Sequence, residues 1–272
     1  MGIDWAAAYA AGQHTSTTVA PVPTTAAVVV PTTTAAAAPV ATTASTSINN
    51  IVSDVENPVA GLWNNLVGVS NALTSFGAST AASGSTGDNY YGNVGLPYGS
   101  NVIKVSSTSG YQFTNTFVNT QSVSITVNIW EKVGPDGQPL SGSALAPTDT
   151  TLTFVLAPGG SQTVAFQDNT QIAFAQALSS FTASGAFATT WGECNWSSAA
   201  GCGYDVSAIM NPAGNNYDMT ISSKEVPDIS AASPATNMWL TATDPVGDSD
   251  GSVWIPGSIG SCTLTTRMGG TL

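Results

Sequence analysis

Between Thr190 and Ala208 the chain gathers two acids, Glu193 and Asp205, two cysteines, Cys194 and Cys202, and two tryptophans, Trp191 and Trp196. The same stretch holds Asn195-Trp196-Ser197, an N-glycosylation acceptor. Two carboxyls are what glycoside hydrolysis requires: one protonates the leaving oxygen while the other acts as nucleophile or base, at about 5–5.5 Å for retention or about 6.5–9.5 Å for inversion. Two carboxylates also accept hydrogen bonds from sugar hydroxyls, or fix a turn by accepting from backbone amides. All three readings stay open on the sequence alone. Trp196, Tyr204, Tyr217, Trp239 and Trp254 offer flat faces that stack on sugar rings or fill a core. Trp196 is expected at the surface, because Asn195 beside it must meet solvent to carry a glycan. Ligand binding is therefore assigned to Glu193, Asp205, Trp196 and Tyr204. Catalysis, if the protein is an enzyme, is assigned to Glu193 and Asp205.

The chain has three cysteines. Cys194 and Cys202 are close in a turn-rich stretch and are expected to pair, closing a loop worth about 2–3 kcal/mol. Cys262 is then a buried thiol or the true partner of one of them. A disulfide points to an oxidising compartment. No cofactor is expected. The cysteines do not form CxxC pairs, His14 is the sole histidine, and no glycine-rich phosphate loop joins a strand to a helix. Asp244, Asp248 and Asp250, followed by Gly251, read as an acidic surface turn and no metal is expected; an oxygen-rich Ca²⁺ loop is the alternative, but its full spacing and closing glutamate are missing.

Charged residues make up 7% of the chain against the usual quarter or so, leaving a surface of Thr, Ser, Asn, Gln and Gly. The formal net charge is -12, with Lys104, Lys132, Lys224 and Arg267 the only Lys or Arg. That balance excludes a nucleic-acid footprint and a polybasic membrane patch. No apolar run reaches the roughly 20 residues of a membrane span. The opening MGIDWAAAYAAG lacks a basic region ahead of an apolar core, so a mature chain with Met1 added at expression is expected. The final TTRMGGTL does not read as a hydrophobic anchor.

Three segments are expected. Residues 1–47 form a low-complexity stalk, in which 15–47 use only Thr, Ala, Val, Ser and Pro and Pro21, Pro23, Pro31 and Pro39 block a continuous helix. Such a composition reads as an O-glycosylated or bare extended segment. Residues 48–88 carry apolar residues at near-helical spacing, predicting a helix over about 60–75, then a glycine-rich linker. Residues 89–272 form a β-domain. Val123, Ile125, Val127 and Ile129 alternate with polar residues, as do Leu152, Phe154 and Leu156, and turn chemistry sits at Gly134–Gly137 and Ala157–Gly160. Strands are expected at 102–105, 111–117, 123–129, 152–156, 162–166, 217–222, 237–243 and 262–267; 171–178 is open between a helical turn and a strand. Short strands without intervening helices predict a mainly β sandwich or barrel.

Several short motifs carry a family resemblance. Gly92–Asn101 (GNVGLPYGSN), Val127–Gly137 (VNIWEKVGPDG), Leu152–Gly159 (LTFVLAPG), Val164–Gln171 (VAFQDNTQ), Thr190–Glu193 (TWGE) and Gly203–Ile209 (GYDVSAI) appear in order. Together they resemble the secreted fungal allergen-4-like proteins. The resemblance implies a secreted protein, often with a low-complexity N-terminal region, and implies no established catalysis. A fainter similarity is to thaumatin-like proteins, carried by Ile129-Trp130, Pro158–Ser161, Glu193 and Tyr204–Ser207. It implies a β-sandwich with an acidic cleft, some of whose members bind or weakly cleave β-1,3-glucan. Only Glu193 and Asp205 match that cleft, and the dense cysteine framework is absent. The expected function is that of a secreted, cell-wall-associated or glycan-binding protein without catalysis, with cell-wall polysaccharide or another glycan as partner. A weak β-glucan hydrolase and a self-assembling extracellular structural protein are the alternatives.

Overall fold

The computed structural model describes residues 69–82, 91–148, 150–214, 216–231 and 252–271. The stalk, most of the expected 60–75 helix, the strand expected at 237–243, Trp239, and the Asp244, Asp248 and Asp250 loop lie outside the described residues. Of that helix, the described part is a 3-10 turn at Val69–Ala72, and helical structure ends there rather than at Ser75.

Twelve strands form two six-stranded sheets among the described residues. They are β1 (Val102–Val105), β2 (Phe113–Asn119), β3 (Ile125–Glu131), β4 (Leu152–Leu156), β5 (Ser161–Phe166), β6 (Thr170–Gln176), β7 (Trp191–Trp196), β8 (Gly201–Ser207), β9 (Tyr217–Ser223), β10 (Ile229–Ala231), β11 (Val253–Pro256) and β12 (Cys262–Thr271). The first sheet runs β1-β5-β2-β12-β9-β10 and the second β11-β8-β7-β6-β3-β4. Pairing is antiparallel except between β12 and β2. The protein is thus a mainly β sandwich. Residues 171–176 lie within strand β6, which settles the open segment. One short helix, α1 (Ser141–Leu145), packs beside the end of β3, where the Gly142 amide donates to the Lys132 carbonyl at 3.1 Å.

Aromatic rings join the two sheets. Phe166 of β5 stacks on Trp196 of β7 with centroids 3.8 Å apart, and Phe117 of β2 meets Phe174 of β6 edge-on at 4.9 Å. Such pairs add about 0.5–1.5 kcal/mol beyond the area they bury. The close fit explains Gly192 in the TWGE motif: a Cβ there would lie 2.1 Å from the Phe174 ring. A second apolar cluster covers the other face of the second sheet, with Trp130, Ala173, Ala175 and Trp191 from the strands and Ala186 and Phe187 from the β6–β7 connection. The second sheet is therefore buried on both sides, and all residues of β3, β7 and β8 are buried. No helix among the described residues is long and apolar enough to cross a membrane.

Candidate functional site

The stretch that concentrates the chemistry is a β-hairpin, β7 turning into β8, in the middle of the second sheet. Side chains alternate faces along a strand, so residue parity sorts them. Gly192, Cys194 and Trp196 face the sandwich core, as do Cys202, Tyr204 and Val206; Glu193, Asn195, Gly203 and Asp205 lie on the outer face. Glu193 stands directly opposite Asp205. Opposed residues of one face have Cβ atoms about 4.5–5.5 Å apart. The two acids are thus neighbours, within reach of one ligand group.

Two like charges opposed across strands repel each other. The countercharge comes from Lys132, just beyond β3, whose Nζ lies 2.5 Å from Glu193 Oε1. Both partners are buried, Lys132 at 2% exposure and Glu193 at 6%, and Asp205 is at 1%. An ion pair this deep recovers its desolvation cost only through close geometry and added hydrogen bonds.

Three expectations for this stretch need correction. Trp196 and Tyr204 were assigned to a ligand surface, but both point into the core, away from the acids. Trp196 is fully buried under Phe166, and the buried Tyr204 donates its phenol to the Asp228 carbonyl at 2.7 Å. Burial pushes the Tyr204 phenol up to about 12, so it stays a donor. Asn195 was expected at the surface as a glycan acceptor, yet it is 1% exposed on a central strand, where a glycan has no room. The Cys194–Cys202 disulfide is not formed, and all three cysteines are buried thiols. Cys194 faces Tyr204 rather than Cys202, which leaves the expected pair two residues out of register.

A carboxylate and an amide hold the hairpin turn in place of that disulfide. Asp168 Oδ1 accepts from the Ser198 amide at 2.8 Å, Asp168 Oδ2 accepts from the Ser198 hydroxyl, and Ser197 Oγ donates to Asn169 Oδ1 at 3.0 Å. Gly201 closes the turn at φ 109, a conformation that L side chains rarely adopt.

The outer face continues as a row across four strands. Gln171 of β6 opposes Asn195, Asn195 opposes Gly203, and Gly203 opposes Trp254 of β11. Gly203 contributes no side chain between the amide and the indole. Trp254 is 37% exposed, on the edge strand of the sheet. Neither Nδ2 nor Oδ1 of Asn195 has a hydrogen-bond partner among the described residues. A buried amide left this way costs free energy, and most such groups in folded proteins are satisfied.

A second polar centre was not anticipated from the sequence as a site. Glu131, at the end of β3, faces the core side and accepts from Asn101 Nδ2 at 2.9 Å. Asn101 Nδ2 also reaches the Asn93 carbonyl at 2.7 Å and Thr170 Oγ1 at 3.0 Å, and Asn93 Nδ2 donates to Gln167 Oε1 at 3.0 Å. This network ties the GNVGLPYGSN, VNIWEKVGPDG and VAFQDNTQ motifs together at one end of the sandwich. Burial pushes the Glu131 carboxyl well above its ordinary value, with the Asn101 hydrogen bond pulling the other way. The available signal was a polar residue at each motif's core-facing position. Among the described residues no group of three or more His, Cys, Asp or Glu is placed to hold a metal ion.

The family model for the Allergen Asp f 4-like domain matches residues 100–268, and the chain belongs to that family. Allergen Asp f 4 of Aspergillus fumigatus is 38% identical over 143 residues, a match spanning 50% of this chain and 43% of that relative's length. Two solved structures resemble the fold at TM-score 0.35, each over 57% of this chain and 97% of its own. They are the protein elicitor MoHrip2 from Magnaporthe oryzae, 11% identical, and the thaumatin-like xylanase inhibitor TLXI, 12% identical.

Proposed function

We propose that this member of the Allergen Asp f 4-like family is an extracellular, non-catalytic protein that binds a neutral cell-wall polysaccharide. The binding surface is centred on Trp254, exposed on the edge strand of the second sheet, at the end of a row that runs inward through Asn195 to Glu193 and Asp205. The observation that carries this reading is the exposed Trp254 indole, in one row with a buried Asn195 amide that has no hydrogen-bond partner among the described residues. Sugar recognition needs a flat apolar face for the ring and fixed donors and acceptors for its hydroxyls. Trp254 supplies the first; Asn195 and the two carboxylates are buried and back that surface from beneath. The net charge of -12 disfavours an anionic polymer. A hydrolase would need one of the two acids to hold a proton for the leaving group. The Lys132 ammonium against Glu193 is the opposite arrangement.

Sedimentation with insoluble β-1,3-glucan and with chitin tests the proposal. Wild-type protein is expected in the pellet of at least one polysaccharide, with binding weakened by about tenfold or more, roughly 1.4 kcal/mol, in Trp254→Ala and in Asn195→Val. Absence of retention on every neutral glycan would sink the reading. Release of soluble sugar by the wild type, lost in Glu193→Gln, would replace it with the hydrolase. A pellet formed without polysaccharide would indicate self-association instead.

A further inference from the structure

One lysine and two acids share the buried outer face of the second sheet. Register places Trp130 beside Ala173, Ala173 beside Glu193, and Glu193 beside Asp205, so these four form one row across β3, β6, β7 and β8. Lys132 lies two residues beyond Trp130 on the same face, and its amide donates to the Gln171 carbonyl at 3.2 Å, which keeps it in register with β6. Neighbouring strands are about 4.8 Å apart, so Lys132 and Glu193, separated by β6, start about 10 Å from each other. Two long side chains are needed to close that gap, and the small Ala173 between them leaves the way open. They meet with Lys132 Nζ 2.5 Å from Glu193 Oε1. Water is kept from the contact. Lys132, Glu193 and Asp205 are all buried, and Trp130 and Trp191, each two residues before one member of the pair, belong to the apolar cluster on this face. Their rings meet edge-on with centroids 5.1 Å apart.

We propose that Lys132 and Glu193 condense into an amide that crosslinks β7 to the chain just beyond β3, with Asp205 as the proton carrier. The ion pair is the reactant state. A proton passing from the ammonium to the carboxylate across the 2.5 Å contact leaves a neutral amine and a carboxylic acid. The Nζ lone pair attacks Cδ of Glu193, and the N–C bond forms as the carbonyl π pair moves onto oxygen. Asp205, directly opposite Glu193, takes the surplus proton from Nζ and delivers it to the departing hydroxyl. That hydroxyl leaves as water, the oxygen pair re-forms the carbonyl, and Asp205 regains its charge. One water is lost, and no oxidant, cofactor or second molecule is consumed. Two physical effects favour the step. Contact between the groups replaces a bimolecular encounter, and well-oriented intramolecular reactions reach effective molarities of about 10⁵–10⁸ M. A dry interior also protects the product from hydrolysis and penalises the two charges that the neutral amide removes. The new N–H remains a donor for Asp205. The proposal concerns the buried acids and does not depend on the polysaccharide reading, which the exposed indole carries.

The experiment is intact mass and tryptic mapping of the full chain, purified folded, incubated for days and then denatured. Trypsin cuts after Lys104, Lys132, Lys224 and Arg267, and it does not cut after an acylated lysine. The wild type is expected one water lighter than its sequence. It should yield 105–224 as a single peptide, also one water lighter, with fragment ions placing the link between Lys132 and Glu193. Lys132→Met is expected at its full mass. Asp205→Asn is expected to crosslink much more slowly and to release 105–132 and 133–224 as separate peptides. Crosslinking of Asp205→Asn at the wild-type rate would overturn the part given to Asp205. Full mass in the wild type, with free cleavage after Lys132, would overturn the proposal. So would a water lost only at Asp136-Gly137, where a succinimide can close, or an ammonia lost with Lys132 joined to Asn195. The wild type gives the answer by itself, so a variant that folds poorly does not leave it undecided.

Discussion

Two glutamates are buried on opposite sides of the same sheet, and the chain segment at the end of β3 serves both. Glu131 turns toward the core side and meets the Asn101 amide; the next residue, Lys132, turns outward and meets Glu193. The chain has four Lys and Arg residues, and it commits one of them to an interior position. Glu193 therefore has a full countercharge, whereas Glu131 has an amide dipole and an Oε2 without a partner among the described residues. Alternation along two consecutive residues thus separates a charge-compensated acid from one that burial drives toward its protonated form.

The largest effect is expected at the ion pair. Lys132→Met keeps the aliphatic stem and removes the charge, leaving Glu193 and Asp205 opposed in the interior. Breaking a buried pair from one side costs about 3–5 kcal/mol. Urea unfolding should show the midpoint fall with little change in slope. The double variant Lys132→Met with Glu193→Leu sharpens the comparison, because replacing both partners by apolar groups is often neutral. Recovery of most of the loss would assign the pair to stability. An unchanged midpoint in Lys132→Met would remove the compensated-acid description altogether.

The Glu131 side predicts a pH dependence of opposite origin. Its folded-state carboxyl titrates well above the ordinary value of 4.5, so the native state holds a proton that the unfolded chain gives up. That contribution is complete below the ordinary glutamate range and is lost as pH rises through the folded value. Wild-type stability should therefore decline from mildly acidic toward alkaline pH. Glu131→Gln, which copies the protonated form, should flatten the decline and be the more stable protein at its alkaline end. Parallel curves for the two proteins would contradict this.

Much of this fold was readable where one face of a strand is polar. Val123 to Ile129 alternates because Thr126 and Asn128 point to the outer face, and β3 was located within two residues. Strands β7 and β8 carried no such signal. The second apolar cluster covers their outer face, so Trp191, Cys194 and Trp196 all suit burial and the stretch reads as a crosslinked corner. Glu193 and Asp205 are brought opposite each other by cross-strand register alone, with no disulfide between their neighbours. Parity alone would have separated Trp196 and Tyr204 from the acids. Helix α1 left no trace because SGSAL has weak helix formers and follows Leu140 at φ 63, with no capping side chain. The Asp168 anchor of the hairpin turn was invisible because its partner, Ser198, lies thirty residues on.

That anchor gives the next effect in size. Asp168→Ala leaves the Ser198 amide and hydroxyl without their acceptor at the turn joining β7 and β8. Hydrogen bonds to a charged group are worth about 1.5–3 kcal/mol each, and part-burial of this turn places the expected loss near the lower end. Chemical denaturation measures it. A change within about 0.5 kcal/mol would mean that β-pairing alone holds the hairpin.

The smallest stability effect is the most informative about function. Asn195→Val removes two buried polar atoms that have no partner among the described residues and adds a β-branched side chain suited to a strand. Removing an unsatisfied buried group is neutral or stabilising, in contrast to most interior substitutions, which destabilise by about 0.5–3 kcal/mol. Trp254→Ala, on a part-exposed edge strand, should likewise stay within about 1 kcal/mol. Unchanged or raised stability together with lost polysaccharide retention would mean that the amide is kept for a ligand at a cost to the fold. A loss above about 2 kcal/mol in Asn195→Val would instead assign the amide to the structure. The outer row would then join the Lys132–Glu193 pair as a device for burying polar groups, and the binding face would have to be sought elsewhere on the sandwich.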